Sequence, residues 1–456
     1  MPRNTEMVGL SGLTIAAMLI AAAQTPLAST MIAVALADIG ATLAVDLALA
    51  TGLLVTTYMI LTIIGQNPGG KLADILGRWR ALELGMVLCF LGSLTGAVAP
   101  AFWLLVVARC LIALGGALIA PSVLALLRAH VAEGRRGKMF GAYSATVGLA
   151  AAIGPPLGGE LVHLFGWRGI FVVNLPLLLL AAVLGRVGRR PPDPPRPHQD
   201  LRSVAGTFDW IGTLLLTAAL AALGAARAWT LALAAITAGV FVAWERRAPD
   251  PILRPSLFAN RVFAAGCLVI FLQSLAMYGV IFQLPQFFEV VRGATPRETG
   301  LVLFVMMAGL FVASILGGML SDRLGARATS LGGVALMAAG IFWLTRLASF
   351  AAPADAFGPA LLLGVALGIN WAPAQSSAMS AVDEARSGMA AGTTSTCRYL
   401  GGAIGVLILA AYLGTAGAAS VEAHVRIVWV FGAAIVVSVI GCLGLPPKPH
   451  ERPRQH

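Results

Sequence analysis

Long apolar stretches separated by short polar breaks run along the whole chain. Each stretch has about 20 residues, the length that an α-helix needs to cross about 30 Å of hydrocarbon. Lipid offers no hydrogen-bond partners, so such segments must satisfy their backbone groups as helices. The pattern therefore predicts an all-α integral membrane protein with fourteen transmembrane helices, over residues 11–36, 47–68, 80–100, 102–125, 140–162, 168–186, 209–226, 228–244, 262–285, 299–320, 328–347, 356–377, 389–413 and 427–445.

Composition agrees with this pattern and excludes a soluble protein. Hydrophobic residues make up 58% of the 456 positions and charged residues 11%, whereas an ordinary soluble domain has about 25% charged residues. Too few charges remain to cover a water-exposed surface. We therefore expect lipid to cover most of the surface.

The distribution of charge explains the net charge of +11 without a nucleic-acid partner. If both termini are cytoplasmic, most of the 31 Lys and Arg residues fall in loops and tails on the cytoplasmic side, which is the bias that orients membrane proteins. The sequence thus predicts a multi-pass protein of a cell membrane, most simply a bacterial inner membrane, with both termini in the cytoplasm.

A glycine-rich segment occurs twice and indicates an internal repeat. GGKLADILGR at Gly69–Arg78 follows the second predicted helix, and GGMLSDRLGAR at Gly317–Arg327 follows the tenth. Equivalent loops eight helices apart predict two six-helix bundles in parallel repeat with two additional helices between them. We expect these loops to form a cytoplasmic latch that breaks when a central cavity opens, with the gating residues Gly70, Asp74, Gly77, Arg78, Gly318, Asp322 and Gly325.

A proline-rich break divides the chain at the same place. Residues 187–208, with GRRPPDPPRPHQDLRS at their centre, have too much proline for a helix and too little apolar surface to fold alone. The predicted units are an N-terminal bundle over 1–186, a cytoplasmic linker over 187–208, two additional helices over 209–246, and a C-terminal bundle with a tail over 247–456.

At these residues the chain resembles the major facilitator superfamily. The first glycine-rich loop is similar to the family's loop between helices 2 and 3, and GLAAAIGPPLGG at 148–159 resembles the antiporter motif of its exporters. WRGIFVVNLP at 167–176 and DWIG at 209–212 resemble the fourteen-helix drug:proton antiporter branch. In the antiporter motif, the residues Gly154, Pro155, Gly158 and Gly159 predict a bent helix with a face for close packing.

Proton coupling is the chemistry that the resemblance implies. Arg109 lies about 10 Å from the outer end of its helix and matches an arginine to which the family attributes this coupling; a structural pairing of Arg109 is the alternative. Ala28 stands where members of the branch commonly carry an aspartate. One hypothesis is that Asp38 or Glu160 accepts the proton instead. The alternative is that both acids are simply solvated at the membrane interface. Arg398 is a second charge inside a predicted helix.

The leading hypothesis is a monomeric exporter of drug-like or amphipathic molecules in exchange for protons. The alternatives are a dedicated exporter of one metabolite or self-made antibiotic, and a non-transporting membrane sensor. No HExxH, GxSxG, GxxxxGK[ST] or metal-spaced His/Cys cluster occurs in the sequence, so neither an enzyme, nor an ATP-driven pump, nor a cofactor or metal is expected. Candidate substrate-lining residues are the polar and aromatic side chains Gln24, Tyr58, Phe271, Gln273, Tyr278, Asn370 and Trp371.

Overall fold

A computed structural model of the chain describes residues 10–131, 133–191, 209–224, 228–248, 251–383 and 387–447. Within these ranges the chain is helical and has no β-strand. Twelve helical segments in the same ranges are long and apolar enough to cross a membrane, six before residue 188 and six after residue 260. Of the linker predicted over residues 187–208, residues 192–208 lie outside the described residues, as do the terminal residues 1–9 and 448–456.

The first six spans are built from nine helices. A 3-10 turn at Ile32–Val34 follows the first helix, and a π-helical stretch at Gly52–Thr56 joins the third helix to the fourth. The helices are α1 (Gly12–Met31), α2 (Leu36–Leu43), α3 (Leu47–Thr51), α4 (Thr57–Leu76), α5 (Arg78–Ala97), α6 (Phe102–His130), α7 (Glu133–Phe165), α8 (Gly169–Val172) and α9 (Asn174–Val187).

The last six spans follow a pair of shorter helices. A second π-helical stretch, Phe287–Val291, ends the span that begins at Arg261. The remaining helices are α10 (Trp210–Gly224), α11 (Ala228–Glu245), α12 (Arg261–Gln286), α13 (Pro296–Leu324), α14 (Ala326–Leu344), α15 (Phe357–Ser380), α16 (Ser387–Ala416) and α17 (Val421–Leu443).

The starts of several helices follow from capping side chains. The Asn260 side chain accepts hydrogen bonds from the backbone N–H groups of Val262 and Phe263 at the start of α12. At the start of α13, Thr295 and Glu298 form a reciprocal capping box. Such side chains satisfy backbone donors that have no partner inside the helix, so these helices begin where the sequence supplies a cap.

The two sets of six spans pack in the same way. In the first set α1 contacts α7 and α9, and α4 contacts α6; in the second set α12 contacts α16 and α17, and α13 contacts α15. Equivalent glycines permit the contact of α4 with α6 and that of α13 with α15. A Cβ atom at Gly69 would collide with the carbonyl oxygen of Ala117, and one at Gly317 would lie 2.5 Å from the carbonyl oxygen of Ile369. The sequence repeat is therefore also a repeat of contacts.

The helices α10 and α11 lie where the seventh and eighth predicted spans were expected. They have 15 and 18 residues, fewer than the roughly 20 that span a bilayer without adjustment. They pack on each other, and α10 also contacts α16. Large apolar side chains such as Leu214 and Ile236 are largely exposed on them, as expected for helices that face lipid.

Candidate functional site

Both glycine-rich loops have the same unusual backbone geometry. Gly77 ends α4 with φ 100° and ψ 140°, and Gly325 ends α13 with φ 88° and ψ 155°. Only glycine adopts this region without strain. The residues predicted to act together in gating thus occupy equivalent turns between two helices.

The other gating candidates lie around these turns. Asp74 and Asp322 are exposed, and in the described part of the chain neither side chain makes a hydrogen bond or ion pair. Arg78 donates a hydrogen bond of 3.4 Å to the carbonyl oxygen of Ala125 on α6. Gly70 and Gly318 lie near Pro121 and Ala372 of the same set of spans. The latch between the two sets stays a prediction.

The antiporter-like segment of α7 packs tightly on two other helices. A Cβ atom at Gly154 would collide with the hydroxyl of Thr30, and one at Gly158 would lie 3.0 Å from the Cα atom of Met31, both on the α1 span. On the other face of α7, a Cβ atom at Gly159 would collide with the carbonyl oxygen of Pro296. These three glycines therefore lie at helix–helix contacts, and the role of this segment as a hinge stays a prediction.

The contact between α7 and α13 is reciprocal and joins the two sets of spans. A Cβ atom at Gly300 would lie 2.6 Å from the carbonyl oxygen of Pro155. One turn away, Glu160 Oε2 lies 3.0 Å from Arg297 Nε. Both contacts lie at the end of the molecule opposite the two glycine-rich loops, and we call this end the sealed end.

A buried hydrogen bond adds to the sealed end. Gln286 Nε2 donates to the hydroxyl of Thr51 over 3.0 Å, and both side chains are buried. Thr51 and Gln286 each directly precede one of the two π-helical stretches, which are often found at functional positions. The sealed end is thus held by polar as well as apolar contacts.

Arg109 is buried inside the first set of spans, with 1% of its surface exposed. Its Nε donates to the carbonyl oxygen of Leu54 over 3.1 Å, and its Nη1 donates to that of Ala28 over 3.2 Å. The guanidinium carbon lies 4.1 Å from the ring centroid of Tyr58, whereas Nη2 has no hydrogen-bond partner among the described residues. Arg109 therefore ties three spans together and keeps one nitrogen, Nη2, whose two N–H groups are unused.

The two acids proposed as substitutes for an aspartate at position 28 are not in contact with Arg109. Asp38 accepts a hydrogen bond of 2.8 Å from the backbone N–H of Trp167, which fixes the turn between α7 and α8. Glu160 pairs with Arg297, and both side chains are partly exposed. Their part in proton transfer stays a prediction.

Arg398 is half-buried on α16 and is surrounded by aromatic rings. Its guanidinium carbon lies 4.9 Å from the ring centroid of Tyr399 and 5.8 Å from that of Trp371. Nη2 donates to the hydroxyl of Ser395 over 3.0 Å. Unlike Arg109, this arginine touches no backbone carbonyl in the described part of the chain.

The fold and these motifs match a known family. The model of the Major Facilitator Superfamily matches residues 18–406 and 266–456. The chain belongs to the Major Facilitator Superfamily. It is a transporter of that family, as the resemblance of the glycine-rich loops indicated.

Named relatives and solved structures agree with this assignment. The transporter is 32% identical to "Multidrug resistance protein Stp" of Mycobacterium tuberculosis over 82% of this chain and 70% of that protein. It is 32% identical to "Puromycin resistance protein pur8" of Streptomyces alboniger over 78% of this chain and 75% of that protein. The crystal structure of a D-xylose-proton symporter has the same fold, with a TM-score of 0.71, 17% identity, and coverage of 96% and 99% of the two chains.

The candidate substrate-lining residues of the transporter fall into three groups. Gln24 is buried, and in the described part of the chain neither polar atom of its side chain has a hydrogen-bond partner, while Tyr58 lies beneath Arg109. Gln273 and Asn370 instead bond each other over 2.9 Å, so they join α12 to α15. Phe271, Tyr278 and Trp371 are partly exposed. Phe271 and Tyr278 lie where glycines of α16 approach α12 closely. Substrate contact by any of them stays a prediction.

Two features of the transporter escaped the sequence analysis. The first is Glu289, which lies in the second π-helical stretch and accepts a hydrogen bond of 2.6 Å from the hydroxyl of Thr299. The predicted helix over 262–285 ended before this residue, because Phe287–Val291 contains an acid and borders a polar loop.

The second feature is a pair of buried carboxylates between α10 and α11. Asp209 Oδ1 accepts hydrogen bonds of 2.7 Å from Gly212 N and from Trp244 Nε1, and Glu245 Oε2 accepts one of 2.7 Å from Leu253 N. Within the described residues, Asp209 Oδ2 and Glu245 Oε1 accept no hydrogen bond. Both atoms would collide with a Cβ atom at Gly212. DWIG at 209–212 marks one acid in the sequence, but nothing there reveals its partner.

Proposed function

We propose that this transporter exports drug-like or amphipathic small molecules in exchange for protons. The observation that carries the proposal is the difference between the two ends of the molecule. At the sealed end α7 packs backbone against backbone on α13, while at the other end Asp74 and Asp322 are exposed. An alternating-access transporter needs two ends that close separately, and the names of the relatives favour drug-like substrates.

The arrangement proposed for this function has fourteen membrane helices. Two six-helix bundles, over 1–186 and 247–456, carry the repeat, and α10 and α11 within 209–246 are two additional helices after a cytoplasmic linker over 187–208. The repeated packing of the two sets supports the bundles. The exposed apolar side chains of α10 and α11 support their contact with lipid. The transporter acts as a monomer in a cell membrane, with both termini in the cytoplasm and without a cofactor or covalent chemistry.

The proposed roles follow the geometry. Gly154, Pro155, Gly158 and Gly159 let α7 close against α1 and α13 and separate from them again. The glycine-rich loops gate the opposite end. Arg109 holds its three spans together through carbonyl oxygens, and its free Nη2 is available to a proton-carrying or substrate group when the sealed end opens.

Proton exchange is tested in proteoliposomes that contain the purified protein and a pH gradient. Lipophilic cations, neutral antibiotics and acidic aromatic compounds are added singly, and collapse of the gradient is followed with a fluorescent dye. Collapse with at least one compound in the wild type, and none with Asp74→Asn at equal protein content, is the expected result. No collapse with any compound, by protein shown to be folded, would contradict proton-coupled export.

A dedicated exporter of one metabolite is the second candidate, and Ala28 favours it. Without an acid at this position the transporter has no general attraction for cations deep in its first bundle. A growth-inhibition panel distinguishes the candidates, since protection against one chemical class indicates the dedicated exporter and protection against several indicates multidrug export.

A further inference from the structure

Only two charged side chains of the described chain lie deep within a helix. Every Asp and Glu of the described chain lies within about five residues of a helix end, or about 8 Å along the axis. Arg109 is seven residues from the nearer end of α6, and Arg398 is eleven from the nearer end of α16. Among the described residues, the middle of the helices is therefore positive and has no balancing carboxylate.

The surroundings of Arg398 bring both sets of spans together. The helix α16, which carries Arg398, contacts α12 of its own set, and it also contacts α4. Since α4 belongs to the first set and α12 and α16 to the second, Arg398 lies on a helix that packs between the two sets. This is the position where transporters built from repeats bind substrate.

The guanidinium of Arg398 has unused donors. It carries five N–H groups, and in the described residues its one side-chain hydrogen bond is that to Ser395. Its side chain is partly exposed, so the remaining donors are not enclosed by protein. The rings of Tyr399 and Trp371 lie beside it, and they offer flat apolar surfaces for an aromatic ligand.

We propose that the substrate is an aromatic or amphipathic anion whose acidic group binds Arg398 between the two sets of spans. The proposal rests on the function proposed above and names its substrate class. Planar carboxylate groups and tetrahedral sulfonate groups can both present two oxygens to the paired donors of arginine, and the attraction grows in a site of low dielectric constant. A lipophilic cation would meet two arginines and no acid at this depth, so it is disfavoured.

Three ligands with one ring system and different charge test the proposal. Naphthalene-2-sulfonate is an anion, naphthalene-2-sulfonamide is its nearly isosteric neutral form, and 2-naphthyltrimethylammonium is a cation. Binding of each is measured by calorimetry with the full-length protein in lipid nanodiscs, separately from proton movement. The variants are Arg398→Ala, Arg398→Lys and, as a matched control, Arg426→Ala, which removes an exposed arginine that pairs with Glu422.

We expect the wild type and Arg426→Ala to bind the sulfonate about tenfold or more tightly than the sulfonamide, because a hydrogen bond to a charged group is among the stronger ones. Arg398→Ala should bind both equally, and Arg398→Lys should keep part of the preference. Equal binding of all three ligands by the wild type, preference for the cation, or no binding of any of them would overturn the proposal. Anion preference without proton exchange in proteoliposomes would instead refute the proton-coupled function alone.

Discussion

Several single residues in this transporter have roles that depend on the backbone, either their own or that of a neighbouring span. Gly77 and Gly325 are needed for a backbone conformation, and Arg109 is held by backbone carbonyl oxygens of neighbouring spans. The sequence identified all three positions. The sequence could not supply the backbone angles of the two glycines or the carbonyl partners of Arg109, because backbone groups are the same at every position of a sequence.

Replacing Gly77 or Gly325 with alanine should destabilise the protein. At φ near 90–100° a Cβ atom is strained, at a cost of about 1–3 kcal/mol. The measurement is the apparent melting temperature in detergent. Gly332→Ala is the control, since Gly332 lies inside α14 with nothing within 4 Å of its Cβ position; it should be neutral or slightly stabilising. An equal effect of all three changes would contradict the conformational explanation.

Arg109→Lys should lower the transport rate about tenfold or more while the protein still inserts into the membrane. One ammonium group cannot reach the carbonyl oxygens of both Leu54 and Ala28 in the geometry of the planar guanidinium. Each lost hydrogen bond to a charged group contributes about 1.5–3 kcal/mol. Initial rates of gradient collapse in proteoliposomes provide the measurement, and Arg426→Ala should match the wild type. Wild-type rates in Arg109→Lys would show that a single positive charge suffices.

At the scale of elements, α10 and α11 behave as one unit because their ends share a carboxylate pair. Asp209 lies directly before α10 and Glu245 is the last residue of α11, with Gly212 leaving room for both. Two ionised carboxylates that are buried beside each other repel each other. A proton on one of them turns the repulsion into a hydrogen bond.

The stability of this unit should therefore fall as the pH rises. We expect the apparent melting temperature of the wild type to be lower at pH 9 than at pH 6, because the shared proton is lost as the pH increases. Glu245→Gln keeps an acceptor for Leu253 N and adds an N–H donor toward Asp209 Oδ2, so it should remove most of this loss. Glu422→Gln, at an exposed carboxylate, should retain it. Identical pH dependence in all three proteins would refute the shared proton.

At the scale of the whole molecule, the polar contacts between the two sets of spans in the described chain lie at the sealed end. Glu160 with Arg297 and Thr51 with Gln286 both join the sets there. At the opposite end, near the glycine-rich loops, the close contacts lie within one set of spans, as between α4 and α6. Opening the sealed end thus requires breaking few polar contacts.

A cross-link at the sealed end should stop transport reversibly. In Glu160→Cys/Arg297→Cys, whose side chains are in contact in the wild type, oxidation should abolish gradient collapse and a reducing agent should restore it. Glu83→Cys/Arg190→Cys replaces another ion pair, which lies within the first set of spans, and its oxidation should leave transport unchanged. Continued transport by the oxidised first pair would show that the seal need not open.

The sequence predicted the architecture better than the site for a physical reason. The spans can be predicted from runs of apolar residues, and the repeat can be predicted from glycines that occur at equivalent positions in the two halves of the sequence. The pairing of Gln273 with Asn370, or of Asp209 with Glu245, depends on how helices distant along the chain rotate toward each other. The position of Glu289 depends on a π-helical stretch that adds residues to an otherwise regular helix.

The contact between Gly159 and the carbonyl oxygen of Pro296 also has a genetic consequence. Every substitution of Gly159 adds a Cβ atom, and no substitution at position 296 can remove the carbonyl oxygen that it would strike. A transport-deficient Gly159→Ala strain therefore cannot be rescued by shortening the facing side chain. Suppressor mutations should arise instead where α7 or α13 meets its other neighbours, and their positions would map how these two helices shift.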